Sequence, residues 1–162
     1  MYSNLFQPTK TYMETNLSPK LFISYSWNCD TYKTMVKNIA AKLRKNGIEV
    51  RLDQWHDVPQ AQLTAFMEKE ISQNDYVLIF CCPKYKHRSE GSTWGGKYEG
   101  DIVTSNLYTG KLKKKFIPVL FSANWDESAP KWIKKETFID LYDDNNFEDN
   151  FEKLLEMIKD KQ

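Results

Sequence analysis

The chain has 162 residues, of which 41% are hydrophobic and 14% aromatic, and its 23 basic residues nearly balance its 22 acidic ones. A chain of this size buries roughly 70% of the surface that its unfolded form exposes, which suffices for one stable core. The near-neutral charge disfavours non-specific binding to nucleic acid or an anionic membrane, and every apolar run is far shorter than the roughly 20 residues of a membrane-spanning helix.

Apolar runs and helical periodicities alternate along the chain. Residues 1–20 are polar, lack the apolar centre of a secretory signal, and are interpreted as an N-terminal extension of a cytoplasmic protein. Buried strands are predicted at Leu21–Tyr25, Ile48–Leu52, Tyr76–Cys81, Phe116–Phe121 and Phe138–Leu141. Helices are predicted from Asp30 to a stop at Gly47, from Gln60 to Ser72, from near Gly96, and along the stripe from Phe147 to Ile158.

This alternation predicts a flavodoxin-like α/β fold over residues 21–160, a three-layer sandwich around a five-stranded parallel sheet. In such sheets a ligand binds beyond the carboxyl ends of the strands. The residues predicted to meet there are polar or aromatic: Ser24, Tyr25, Ser26 and Trp27 after the first strand, Asp53 and Trp55 after the second, and Trp94 and Glu99 after the third. A cleft with these groups suits a flat, polar ligand that carries a sugar.

Several other functions lack their motifs. Neither GxGxxG nor GxxxxGK[ST] occurs in the sequence, which disfavours a classical dehydrogenase and a phosphate-loop ATPase. Cys81 and Cys82 stand where a phosphoacceptor receiver would have an aspartate. The cysteines lack metal-ligand spacing and are expected to be reduced structural thiols, so no metal site is predicted.

Three motifs in the right order resemble the Toll/interleukin receptor (TIR) family, over about residues 20–160. Phe22-Ile-Ser-Tyr-Ser26 is similar to its first strand and loop, and Leu52-Asp-Gln-Trp55 to its second strand entering the BB loop. Gly95-Gly-Lys-Tyr-Glu99 resembles the stretch with the catalytic glutamate in bacterial members, including a subgroup close to SEFIR domains. Many catalytic relatives have Trp-x-x-x-Glu, whereas four residues separate Trp94 from Glu99 here.

The resemblance implies an NAD+ glycohydrolase that uses NAD+ as substrate and needs no cofactor. Ordinary glycosidases need two carboxylates, because the leaving oxygen must be protonated. Nicotinamide departs neutral, so one carboxylate, Glu99, is enough to stabilise the ribose cation. A glutamate early in a helix is also explained by the helix dipole alone, and the tryptophans and Asp53 by packing or loop capping.

The resemblance also implies homotypic self-association into oligomers or filaments, with active sites shared through the BB loop near residues 54–61. Related bacterial domains are usually antiphage effectors that act with a fused or separate sensor. Two alternatives stay open at this point: a non-catalytic adaptor module that works by homotypic contact, and a nucleoside deoxyribosyltransferase relative.

Overall fold

The computed structural model describes residues 18–25, 30–52, 59, 62–90 and 114–159, with positions 30–32, 63–64, 67 and 88–90 described by their backbone alone. These residues form a five-stranded sheet in the order β2-β1-β3-β4-β5, in which every neighbouring pair is parallel. The strands are β1 (Lys20–Ser24), β2 (Glu49–Leu52), β3 (Tyr76–Cys81), β4 (Phe116–Leu120) and β5 (Ile139–Asp140). The predicted fold is confirmed, and the predicted bounds of β3 agree with the structure.

Five helices connect and follow the strands in the described part of the chain. They are α1 (Asp30–Lys45), α2 (Leu63–Gln73), α3 (Pro83–Glu90), α4 (Trp125–Ser128) and α5 (Phe147–Lys159), with a short 3-10 turn at Asp144–Asn146. Gly47 follows α1 at a φ of +86°, a backbone conformation that favours glycine and ends the helix. The predicted helix near Gly96 lies outside the described residues.

Helices α3 and α4 were not predicted from the sequence. Among the described side chains of α3 only Tyr85 is buried, so this helix has no apolar stripe to detect. Helix α4 spans four residues, too few to show a helical period. Its start is nevertheless stabilised locally, because the side chain of Asn124 accepts a hydrogen bond from the backbone N–H of Glu127.

Side chains alternate between the two faces of the sheet. On β1, Leu21 and Ile23 lie on the face covered by α1 and α5, whereas Phe22 lies on the face covered by α2, α3 and α4. The first face packs against buried residues of its two helices, Val36, Ile39, Ala40, Leu43, Phe151, Leu154, Leu155 and Ile158. Both faces are therefore buried, as a parallel sheet requires.

Polar contacts fix α2 against the sheet. The Arg51 Nη2 atom on β2 lies 2.8 Å from the Glu70 Oε1 atom on α2. At the carboxyl end of the same helix, Lys115 Nζ donates to the backbone oxygens of Ile71, at 3.2 Å, and Asn74, at 3.0 Å. A cation is favourable there because it meets the negative end of the helix dipole. Strand β2 and helix α2 flank residues 53–62, which include the predicted BB loop at residues 54–61, so these contacts anchor the elements on both sides of that loop.

Candidate functional site

The strand order creates a topological switch point between β1 and β3. The chain passes from β1 outward to β2 and then back across β1 to β3, so the connections that leave β1 and β3 diverge. In open α/β sheets such a divergence leaves a crevice at the carboxyl ends of the two strands. Ser24 ends β1 and lies in register with Ile79 of β3, two positions before Cys81 ends that strand.

Two of the predicted site residues, Ser24 and Tyr25, lie in the described part of the chain. Both are at the carboxyl end of β1, and they are 0% and 4% exposed. Tyr25 packs into the cluster on the α1 and α5 face, whereas Ser24 contacts Tyr85 of α3 on the other face. The structure therefore brings both residues to the switch point but on opposite sides of the sheet. Their contacts with a substrate stay predictions.

The other predicted site residues lie outside the described residues. They are Ser26, Trp27, Asp53, Trp55, Trp94 and Glu99. In sequence, the segment from Ser26 follows β1, the segment from Asp53 follows β2, and the segment with Trp94 and Glu99 follows α3. The segments from Ser26 and Asp53 thus leave the carboxyl ends of two neighbouring strands, whereas the segment with Trp94 and Glu99 belongs to the longer connection between β3 and β4.

A buried hydrogen bond crosses the switch point. Ser24 Oγ and the Tyr85 hydroxyl are 3.1 Å apart, and both residues are fully buried. Either oxygen can donate the proton. The bond joins the last residue of β1 to the first turn of α3, two elements that are 61 positions apart in sequence at this contact.

Tyr85 was missed as a functional candidate by sequence reasoning. The sequence nevertheless marks this residue, because Tyr85 is the aromatic residue of the polar stretch Lys84-Tyr-Lys-His87, which closely follows the buried strand Tyr76–Cys81. A buried tyrosine hydroxyl usually has a hydrogen-bond partner, so the residue predicts a polar group nearby. Which group that is depends on the order of the strands.

The thiols at the end of β3 are unsuited to nucleophilic chemistry. Cys81 is fully buried, and its Sγ atom lies 3.6 Å from the backbone oxygen of Ile79. Burial raises the pKa of the Cys81 thiol well above its ordinary value, and the neighbouring Cys82 raises it further. The reactive thiolate is therefore disfavoured, which supports the structural role predicted for these residues.

A groove of about 810 Å³ lies elsewhere, between α1 and the segment that follows β5. It is lined by Met35, Ile39 and Tyr142 together with the carboxylates of Asp143 and Asp144. None of the predicted site residues lines it. Since NAD+ carries two negative phosphates, an acidic groove is a poor site for it, and the switch point remains the better candidate.

The described residues contain no group of three or more histidine, cysteine, aspartate or glutamate side chains that could hold a metal ion. No helix among them is both long enough and apolar enough to cross a membrane.

Comparison with known proteins identifies the family. The family model described as TIR domain matches residues 21–155, which is most of the chain. The chain belongs to the TIR domain family. This TIR domain is also similar to the crystal structure of a prokaryotic SEFIR domain, with 34% sequence identity and a TM-score of 0.68, over 88% of this chain and 99% of that chain. No curated protein matches it.

Proposed function

We propose that this TIR domain is an NAD+ glycohydrolase that cleaves the bond between nicotinamide and ribose. The observation that carries the proposal is the motif Gly95-Gly-Lys-Tyr-Glu99 within a chain whose family match spans residues 21–155. The motif resembles the stretch that holds the catalytic glutamate in bacterial TIR domains. In the sequence it lies in the connection between β3 and β4, which leaves the sheet at the carboxyl end of β3.

The proposed reaction needs one carboxylate. The glycosidic C–N bond breaks, its electron pair stays on nicotinamide, and the ribose carbon becomes cationic. Glu99 stabilises this cation and holds the ribose hydroxyl groups. Water then adds to the carbon and loses a proton to give ADP-ribose, or an adenine nitrogen adds to give a cyclic isomer. NAD+ is the substrate in this scheme, and no cofactor takes part.

The remaining predicted residues bind the substrate in this proposal. The aromatic rings of Trp27, Trp55 and Trp94 stack on the nicotinamide or adenine rings. Asp53 accepts a hydrogen bond from a ribose hydroxyl group, and the loop after β1 supplies Ser26. These assignments concern the binding of NAD+ and leave the proposed reaction unchanged.

The proposal includes activation by assembly. TIR domains act by homotypic interaction, and sites shared through the predicted BB loop would be complete only in an oligomer or filament. Antiphage defence, in which a fused or separate sensor triggers this assembly, is the biological role that fits such a latent NAD+-cleaving activity.

The decisive experiment measures nicotinamide release from NAD+ by concentrated or crowded protein. Wild type is compared with Glu99→Ala and with Glu156→Ala, which removes an exposed glutamate from α5 as a matched control. We expect release by wild type and by the control, and none by Glu99→Ala at an unchanged melting temperature. A Glu99→Ala variant that keeps most of its activity would refute the assignment. Deoxynucleosides tested in parallel separate this activity from base exchange.

The similarity to a SEFIR domain favours one alternative, a non-catalytic TIR adaptor that works only by homotypic contact. The same assay decides between the two functions. Absence of nicotinamide release from wild-type protein, at concentrations where sedimentation shows that it has assembled, would contradict NAD+ cleavage and favour the adaptor function or a requirement for an activating partner.

A further inference from the structure

The hydrogen bond between Ser24 and Tyr85 lies at the topological switch point between β1 and β3. Ser24 is the last residue of β1, and the sequence continues from it into the loop with Ser26 and Trp27. Tyr85 lies in the first turn of α3, and the sequence continues from that helix toward Trp94 and Glu99. The two hydroxyl groups, 3.1 Å apart, therefore join the two elements from which the predicted substrate-binding and catalytic segments emerge.

The surroundings of this bond make it a rigid connection. The Tyr85 ring is fully buried in a cluster with Ile79, Cys81 and Cys82. Ser24 is also fully buried, and β1 pairs with strands on both of its sides. A hydrogen bond between two hydroxyl groups requires a separation of about 2.5–3.0 Å or slightly more, so this bond constrains the relative placement of β1 and α3.

We propose that Tyr85 is a positioning residue for NAD+ cleavage, which acts through Ser24 to fix the carboxyl end of β1 relative to helix α3 at the switch point. This inference rests on the proposed function. Tyr85 is not assigned a contact with the substrate, because its side chain is fully buried. Its effect is geometric: small displacements of groups that position a substrate reduce catalytic efficiency strongly.

The test compares Tyr85→Phe with Tyr76→Phe by the kinetics of nicotinamide release. Each substitution removes one hydroxyl group from a buried tyrosine, but Tyr76 is the first residue of β3, at the end of the strand opposite to the proposed site. We expect Tyr85→Phe to raise KM for NAD+ about threefold to tenfold, the range that the loss of one hydrogen bond produces. Tyr76→Phe should leave KM within about twofold of wild type.

KM separates positioning from a merely structural role. A variant that is only less stable has fewer folded molecules, which lowers the maximal rate in proportion and leaves KM unchanged. Ser24→Ala tests the same bond from its other side and replaces Tyr85→Phe if that variant fails to fold. Since both substitutions break the same hydrogen bond, the KM of the Ser24→Ala/Tyr85→Phe double variant should be no higher than the higher KM of the two single variants.

Each outcome has one meaning. An unchanged KM in both single variants, with wild type active, overturns the positioning role of Tyr85 and leaves the proposed function intact. Additive effects in the double variant overturn it as well, because they show that the two hydroxyl groups act independently. Absence of nicotinamide release from assembled wild type overturns the proposed function, and this inference with it.

Discussion

The ion pair between Arg51 and Glu70 should stabilise the fold more than its position at the edge of the sheet suggests. The Arg51 side chain is 57% exposed, but the Glu70 side chain is only 6% exposed, and their closest atoms are 2.8 Å apart. Replacing Arg51 by methionine keeps an apolar stem of similar length and removes the charge. The carboxylate of Glu70 then remains buried without its cation, although Asn74 Nδ2 lies 3.5 Å from its Oε2 atom.

The expected magnitude lies between the values for exposed and buried pairs. Breaking an exposed ion pair costs about 0–1 kcal/mol, and removing one partner of a fully buried pair costs about 3–5 kcal/mol. Because water reaches Arg51 and screens the pair, we expect Arg51→Met to lower the free energy of unfolding by about 2 kcal/mol. In a domain of this size that loss lowers Tm by roughly 4–8 °C.

Thermal and urea denaturation of four proteins test this expectation: wild type, Arg51→Met, Glu70→Gln and the double variant. In the Glu70→Gln background no buried charge is left, so Arg51→Met should cost less than about 0.5 kcal/mol. The matched control is Lys134→Met, since Lys134 pairs with Asp126 at 3.4 Å and both side chains are well exposed, at 41% and 85%. It should also cost less than about 0.5 kcal/mol. A strictly additive cycle, or a Tm for Arg51→Met within about 1 °C of wild type, would show that Glu70 does not depend on Arg51.

Two further predictions concern assembly and the buried thiols. If active sites are shared between neighbouring domains, nicotinamide release per mole of protein should rise with protein concentration, and a strictly constant specific activity would contradict shared sites. A Cys29→Ser variant retains Cys81 and Cys82, which are both buried. Because burial raises the pKa of Cys81 and keeps reagents away from both thiols, this variant should react with a thiol reagent only slowly until urea unfolds the protein. The folded state holds the Cys81 proton more tightly than the unfolded state, so stability should fall as the pH rises above 9.0, the ordinary pKa of the thiol. Cys81→Ala should show a smaller fall in the urea midpoint between about pH 8 and about pH 10, and an equal fall would contradict this reasoning.

Local sequence patterns predicted those elements whose buried residues are continuous or recur at a regular period. Strand β3 is buried at all six of its positions, and a continuous apolar run of that length has no solvated alternative. Helix α5 shows a complete apolar stripe, and its buried residues Phe151, Leu154, Leu155 and Ile158 all belong to the predicted set. The short helices α3 and α4 lack any such periodicity, and the cap at Asn124 is the local signal that α4 carries.

The features of the candidate site also divide into those predicted from the sequence and those that depend on the tertiary structure. The sequence by itself determined the alternation of strands and helices, the parallel sheet, and the motifs that mark the TIR family, because each depends on residues close together in the chain. Only the tertiary structure decided that Tyr25 packs into the cluster on the α1 and α5 face and that Ser24 meets Tyr85. That contact depends on β3 lying beside β1, and the order of strands is set by the packing of the whole domain, which no local pattern encodes.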